Sequence, residues 1–238
     1  MTAIIFSGHI RTFKQLYNNN VFKTIFTNAD IFIHTYDTIG YWSGVTSVYD
    51  KEHISKDYIY NIFDNDDKLK IKDIFIEKEN CKIDIINTLS DKMYPRKIYY
   101  GRPYNFTSMH MKRLTAIERF FEIKTENYNK VMLLRPDYII KNTDVEIDDN
   151  FYIEGYENYV GQPWLNDVFM IGSVNNFYKL KNIYIESFWK YINEHDGDYD
   201  PHSYFRSLMK NYFPNYKFIQ CGINSIINTP KGYCNPEY

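Results

Sequence analysis

The run Val131-Met132-Leu133-Leu134 is followed at once by Arg135-Pro136-Asp137. Four apolar residues with no polar alternation suit a strand covered on both faces, as in the centre of a sheet layered between helices. Pro136 has no N–H to offer a ladder, so regular pairing is expected to stop there. A cation and a carboxylate are thereby set at the carboxyl end of a central strand. In open α/β sheets that edge is where ligands bind. The plainer reading of the same residues is a strand end with a solvated Arg–Asp pair.

The rest of the chain supplies the strands and helices such a sheet needs. Ala3–Phe6 predicts a buried first strand that runs into Ser7-Gly8-His9-Ile10-Arg11-Thr12. A strand, a small glycine-containing turn and a helix bring backbone N–H groups close to a phosphate or a base. The spacing of Phe13, Leu16, Tyr17, Val21, Phe22, Ile25 and Phe26 predicts a helix after that turn. Asp30–Asp37 is a second strand ending in His34 and Asp37. Asp37 has two readings: an acceptor for ribose or base hydrogens, or an Asx turn into the glycine beyond it. His34 reads as core, or as support behind the site. Ile54–Phe63 carries a helical pattern, Asp64–Lys68 a charged turn, and Ile71–Ile76 a third strand. The order β-α-β-α-β over the first third predicts a nucleotide-binding half of Rossmann type.

Tyr94–Phe106 is basic, aromatic and broken by prolines and a glycine, which predicts a loop rather than a long helix. Thr107 or Ser108 is expected to cap a helix over Met109–Thr125, with Met111, Leu114, Ile117 and Phe121 facing the core. Lys112 and Arg113 near its amino end either neutralise an anion or belong to a solvated face. Phe151–Ile153 and Val168–Ile171 read as further strands, with Asn166 and Asp167 at the start of the second and Trp164 close by. The spacing of Phe177, Leu180, Tyr184, Phe188 and Ile192 predicts a long helix. Asp196, Asp198 and Asp200 alternate like the start of a calcium loop, but Pro201 stands where such a loop needs glycine and no Glu follows at its twelfth place. Asp200 is better placed as an N-cap with Pro201 at the first helical position. Lys217–Gln220 predicts a last edge strand.

Three segments carry a resemblance. Tyr-Asn-Lys-Val…Leu-Arg-Pro-Asp (128–137), Ser-Gly-x-x-Arg-Thr-Phe (7–13) and Asn-Asp-x-Phe-x-Ile-Gly-Ser (166–173) resemble segments of a diffuse group of nucleotide-sugar glycosyltransferases. That group has a GT-A-like fold and occurs in large DNA viruses and bacterial surface-polysaccharide clusters. The resemblance implies a single α/β domain over 1–238, with a mostly parallel sheet flanked by helices. A donor half spans about 1–140 and an acceptor half about 141–238. It implies transfer of a hexosyl or pentosyl unit from a nucleoside-diphosphate sugar to a hydroxyl on a glycan or glycoprotein.

The group's pattern places Asp137 where an Asp-x-Asp carboxylate would hold Mn²⁺ or Mg²⁺ against the donor diphosphate. It places Arg11 at the donor nucleotide and the helix bearing Lys112 beside the donor site; Ser7, Gly8, Asp37 and Arg135 join them as donor candidates from their places at strand ends and the first turn. Asp167 then faces the reacting sugar, either orienting a donor hydroxyl or acting as base toward the acceptor. Trp164 offers an apolar face to an acceptor sugar beside Asn166. His202 is a second candidate metal ligand, because some GT-A enzymes use a late histidine. A different class is also compatible with this pattern: a non-catalytic nucleotide- or glycan-binding module on the same sheet.

Composition narrows the partners. The net charge of −2 makes no electrostatic case for nucleic acid. No apolar run approaches a membrane span, and no signal-peptide core follows the start. Cys81, Cys221 and Cys234 are odd in number and show no Cys-x-x-Cys spacing, so neither a disulfide framework nor a zinc site is expected. The setting expected is reducing and cytoplasmic, that of the host if the source is viral. The 24 tyrosines and 17 phenylalanines are high counts. Codon bias toward AT-rich residues and stacking on sugars or bases both account for such an excess.

Overall fold

The computed structural model describes residues 1–10, 13–17, 23–37, 53–78, 103–136, 138–139, 145–157, 163–195, 201–219 and 224–225. Arg11, Asp137, the acidic residues Asp196, Asp198 and Asp200, segment 83–89, residues 94–102 and all three cysteines lie outside them.

Seven strands form one sheet in the order β3-β2-β1-β4-β7-β6-β8. They are β1 Thr2–Ser7, β2 Ala29–Tyr36, β3 Ile71–Glu77, β4 Lys130–Leu134, β6 Tyr152–Glu157, β7 Pro163–Gly172 and β8 Lys217–Ile219. Four pairings are parallel, and only β7 runs against its neighbours. The short strands β5 Tyr138–Ile139 and β9 Asn224–Ser225 pair separately. The expected mixed α/β fold with a mostly parallel sheet is the one found.

The apolar runs explain the layering. In β1, Ala3 and Ile5 face one core, while Ile4 and Phe6 face the other. In β4, Val131 and Leu133 divide from Met132 and Leu134 in the same way. A strand buried on both faces cannot alternate with polar residues, which is why these two read as continuous apolar runs. The first face is covered by three helices: α4 Pro103–Ile123, α5 Val174–Glu194 and α6 Pro201–Tyr212. The second is covered by α1 Phe13–Tyr17 and a 3-10 turn Thr24–Phe26, with α2 Lys56–Tyr60 beyond. Here Phe6, Phe13, Tyr17, Phe26 and Phe63 make one aromatic cluster, with ring centroids 4.9–6.5 Å apart.

Helix α5 buries Phe177, Leu180, Tyr184, Phe188 and Ile192, the stripe its sequence spacing predicts. Each such burial stabilises by about 1.5–3 kcal/mol before the entropy of ordering is set against it. Ser173 caps α5 by accepting from the Asn176 amide at 3.2 Å. A Cβ on Gly172 would lie 2.8 Å from the ring of Phe151, so only glycine lets that ring pack there. The Gly-Ser ending of the 166–173 segment thus serves packing and capping.

Three boundaries differ from expectation. Helix α4 starts at Pro103, ahead of Thr107 and Ser108. A proline at the first helical position gives up an N–H that has no intrahelical acceptor anyway. Strand β7 starts at Pro163, so Trp164, Asn166 and Asp167 lie within the strand rather than in a turn before it. Residues Asn65–Lys68 close into a short helical turn, α3, instead of an open charged turn.

Candidate functional site

The carboxyl ends of β1, β2, β3 and β4 lie side by side. Ser7 pairs in register with His34, Tyr36 with Glu77, and Phe6 with Leu134. β2 and β3 leave β1 on one side and β4 on the other, so the strand order turns between β1 and β4. Such a turn opens a crevice at the carboxyl edge, because the connections on its two sides diverge.

The floor of the crevice is the turn after β1. Gly8 has φ +132°, a conformation that side chains rarely adopt. Its N–H donates to the carbonyl of His34 at 3.1 Å. A Cβ on Gly8 would sit 3.5 Å from Cδ of Pro136, so the β1 turn and the β4 end touch across the switch point. Ser7 is only 3% exposed, and its hydroxyl has no hydrogen-bond partner among the described residues.

Strand alternation puts Ser7, His34 and Tyr36 on the face covered by α4. His34 is buried and its Nε2 lies 3.0 Å from the carboxylate of Glu77, itself buried at the end of β3. The His34 ring also packs on Phe75 at 5.0 Å. The His9 ring lies 4.6 Å from that of Tyr36. Asp37 is half-buried, and its main chain is engaged on both sides: its N–H donates to Glu77 and its carbonyl accepts from Ile54.

Helix α4 runs antiparallel to β2. Phe120 packs on Phe32 near the strand's start, whereas Lys112 sits with its ammonium on the ring face of Tyr36 at the strand's end. The middle of α4 therefore crosses the end of β2, and its amino-terminal half runs on past the strand end. Lys112 and Arg113 are 3% and 4% exposed, which corrects the expectation of a solvated face. The aromatic ring compensates part of the cost of burying the ammonium.

Arg135 follows β4 directly and is half-buried; Pro136 is buried against Gly8. Leu134 pairs antiparallel with Phe169. The β7 backbone before Phe169, with Asp167, Asn166 and Trp164, therefore continues past the end of β4 along the same edge. Helix α6 begins on this side too: Tyr204 in its first turn meets His110 of α4, while Phe213 beyond its end packs on Phe151 at the opposite edge. His202 is consequently at the crevice end of α6 and partly buried. Of the expected site residues, Ser7, Gly8, Asp37, Lys112 and Arg135 gather at one edge. The backbone of Trp164, Asn166 and Asp167 reaches it, and Arg11 and Asp137 lie outside the described residues. Glu77 was missed, because the third strand was expected to end one residue before it.

Among the described residues, no group of three His, Cys, Asp or Glu side chains is placed to hold a metal ion. Also among them, no helix is long and apolar enough to cross a membrane.

No protein-family model matches the sequence, and comparison with curated proteins gives no match. Solved structures do match. The galactosyltransferase LgtC, in complex with donor and acceptor sugar analogues, aligns with TM-score 0.53 and 10% identity over 93% of this chain and 74% of that one. An active-site mutant of LgtC aligns with TM-score 0.51 and the same identity and coverage. At this identity the likeness is one of fold, and the fold is GT-A-like, as the sequence led one to expect.

Proposed function

We propose that the chain is a glycosyltransferase that moves a sugar from a nucleoside-diphosphate sugar to an acceptor hydroxyl on a glycan or glycoprotein. The observation that carries the reading is the gathering, at the sheet edge beside the turn in strand order, of the Gly8 turn, the buried Ser7 hydroxyl, which has no hydrogen-bond partner among the described residues, and the buried Lys112 ammonium on Tyr36. A ligand with both hydrogen-bonding and anionic groups answers all three. In this reading residues 1–140 form the donor half and 141–238 the acceptor half.

When the sugar leaves, negative charge builds on the diphosphate oxygen that held it. Lys112 on α4 and Arg135 after β4 lower the energy of that charge, with Arg11 as a third cation. Asp37 and Ser7 hold hydroxyl or base hydrogens of the nucleoside. Asp167 orients the sugar or takes the proton of the attacking hydroxyl, beside Trp164 and Asn166 on the acceptor side. A divalent cation, Mn²⁺ or Mg²⁺, would be held by Asp137 with His202 as a second candidate, and would supply further neutralisation. The described side chains form no cation cage of their own.

The direct test is a thermal-shift screen over nucleoside diphosphates and their sugars, with and without Mn²⁺, because ligands of the folded state raise its melting temperature. Sugar release from a stabilising donor then separates an enzyme from a binding module. A donor that stabilises the protein but is never cleaved, with any acceptor, would leave only the binding module.

A further inference from the structure

We infer that Glu77 is a positioning residue, which acts through His34 to set the turn at the end of β1; this rests on reading the crevice as a nucleotide site. Glu77 engages the end of β2 twice. Its carboxylate lies 3.0 Å from His34 Nε2, and its carbonyl accepts the Asp37 N–H at 3.0 Å. His34 passes the constraint to β1, since its carbonyl accepts the Gly8 N–H at 3.1 Å and it is the register partner of Ser7. Three strand ends are thus fixed as a unit beneath the crevice.

Stability alone does not account for this pair. Both partners are buried, at 2% and 9% exposure, on the sheet face that also carries Ala3, Ile5, Phe32, Val131 and Leu133. Two apolar side chains of similar volume would hold such a position as well or better, because they carry no desolvation cost. Fixed geometry is what a hydrogen-bonded pair adds over apolar packing, and the element it fixes is the one bearing Ser7, whose hydroxyl has no hydrogen-bond partner among the described residues. A binding group has to be held within about 0.5 Å of its working position to be effective, which supporting side chains of this kind provide. Other charged or titratable groups near the pair are Lys112 on Tyr36 and Arg119 on Phe75 from α4, Asp73 of β3, which pairs with Arg119, and His9 in the turn after β1, beside Tyr36.

The test is calorimetric binding of uridine, guanosine, adenosine and cytidine diphosphates, each tried separately, at a temperature well below every melting midpoint. Four proteins are compared: wild type, Glu77→Gln, Glu77→Leu, and the double variant His34→Leu/Glu77→Leu. Gln keeps an acceptor for His34 and should bind nearly as wild type. Leu removes the acceptor and should weaken binding about tenfold, the scale of one hydrogen bond to a charged group. The double variant should recover the melting temperature without recovering affinity. If affinity returns together with stability in the double variant, or if Glu77→Leu binds as wild type, the inference is overturned. Should Glu77→Leu fail to fold, the double variant still decides. A wild type that binds none of the four diphosphates would overturn the nucleotide reading, and the inference with it.

Discussion

Lys112 lies with its ammonium on the ring face of Tyr36, and both side chains are buried where the middle of α4 crosses the end of β2. Removed from water, an ammonium is costly, and a ring face returns about 2 kcal/mol or somewhat more when desolvated. Lys112→Met keeps the stem and removes the charge. Folding stability should change by less than about 1 kcal/mol, because the lost attraction is offset by relief from burying a charge. Affinity for the preferred nucleoside diphosphate should fall about tenfold or more. Denaturant unfolding and calorimetry on the same preparations measure both. A variant that is clearly destabilised yet binds as well as wild type would make Lys112 a packing residue only.

Gly8→Ala probes the turn itself. The φ of +132° is strained for alanine whatever the space around it. The expected stability loss is about 1–3 kcal/mol, the usual cost of a side chain in a sparsely populated backbone region. Its signature is that the loss comes with weaker nucleotide binding, because the turn that relaxes is the one carrying Ser7. Unfolding midpoints and calorimetric affinities report the two effects. An alanine variant as stable as wild type would mean that the turn is not held in this conformation.

How far the sequence revealed all this depended on how local each signal was. The buried strands were legible because burial on both faces leaves an uninterrupted apolar run, as at Ile4–Phe6 and Val131–Leu134. Helix α5 was legible from its stripe. The first turn of α4 was not, because Pro103 reads as a breaker when its position in the helix is unknown. The reach of β7 was hidden by its polar Asn166 and Asp167, and its antiparallel direction is decided by partners far away in sequence. Lys112 looked like part of a solvated face for the same reason: the ring that receives it belongs to β2. The polar strand ends at Ser7, Asp37 and Arg135 lie at one edge, since parallel strands align their carboxyl ends. The link from Glu77 through His34 to Gly8 needs the register of three strands, which no local pattern contains.

On the opposite face, Tyr17 makes a pH prediction. Its hydroxyl donates to Asp67 at 2.7 Å and accepts the Asp64 N–H at 2.9 Å. Burial pushes its ionisation far above the usual tyrosine range; the Asp64 N–H opposes this in part, and the bond to Asp67 adds to the rise. A group whose pKa is raised by folding contributes fully below its unfolded value, about 10 for tyrosine, and loses that contribution as pH rises through the folded value. Stability should therefore be flat through neutral pH and fall above about pH 10. Tyr17→Phe should cost about 1–2 kcal/mol at pH 7 and flatten the alkaline decline. Urea unfolding at several pH values is the check. Equal slopes above pH 10 in both proteins would assign the decline elsewhere.

Asp167→Asn separates chemistry from nucleotide binding. The β7 backbone carries residue 167 past the end of β4. If Asp167 orients the sugar or acts as base, the variant should bind the free nucleoside diphosphate as wild type does, while transfer falls at least a hundredfold, the usual scale for a missing general base. Wild-type transfer by Asp167→Asn would end this assignment.

Asp137 is the last residue to test, and its two roles predict opposite results. Residue 137 lies between Pro136, which touches Gly8 at the switch point, and β5, which starts at Tyr138. As a strand-end carboxylate paired with Arg135 it would contribute at most about 1 kcal/mol, and Asn would replace it with little effect on anything. As the ligand of Mn²⁺ or Mg²⁺ it cannot be so replaced, because hard dications prefer charged oxygen donors to a neutral amide. Loss of the cation from the leaving diphosphate removes several kcal/mol of transition-state stabilisation. That is a rate loss of about a thousandfold or more. Melting temperature should barely move in either case, since Asn suits the same backbone, so unfolding cannot mimic the catalytic result. Transfer rate, Mn²⁺ dependence and melting temperature of Asp137→Asn beside wild type make the comparison. An active variant with an unchanged Mn²⁺ response would remove Asp137 from the metal site and turn attention to Asp196, Asp198 and Asp200. Wild-type activity in excess EDTA would remove the metal itself, and the diphosphate charge would then fall to Arg11, Lys112 and Arg135.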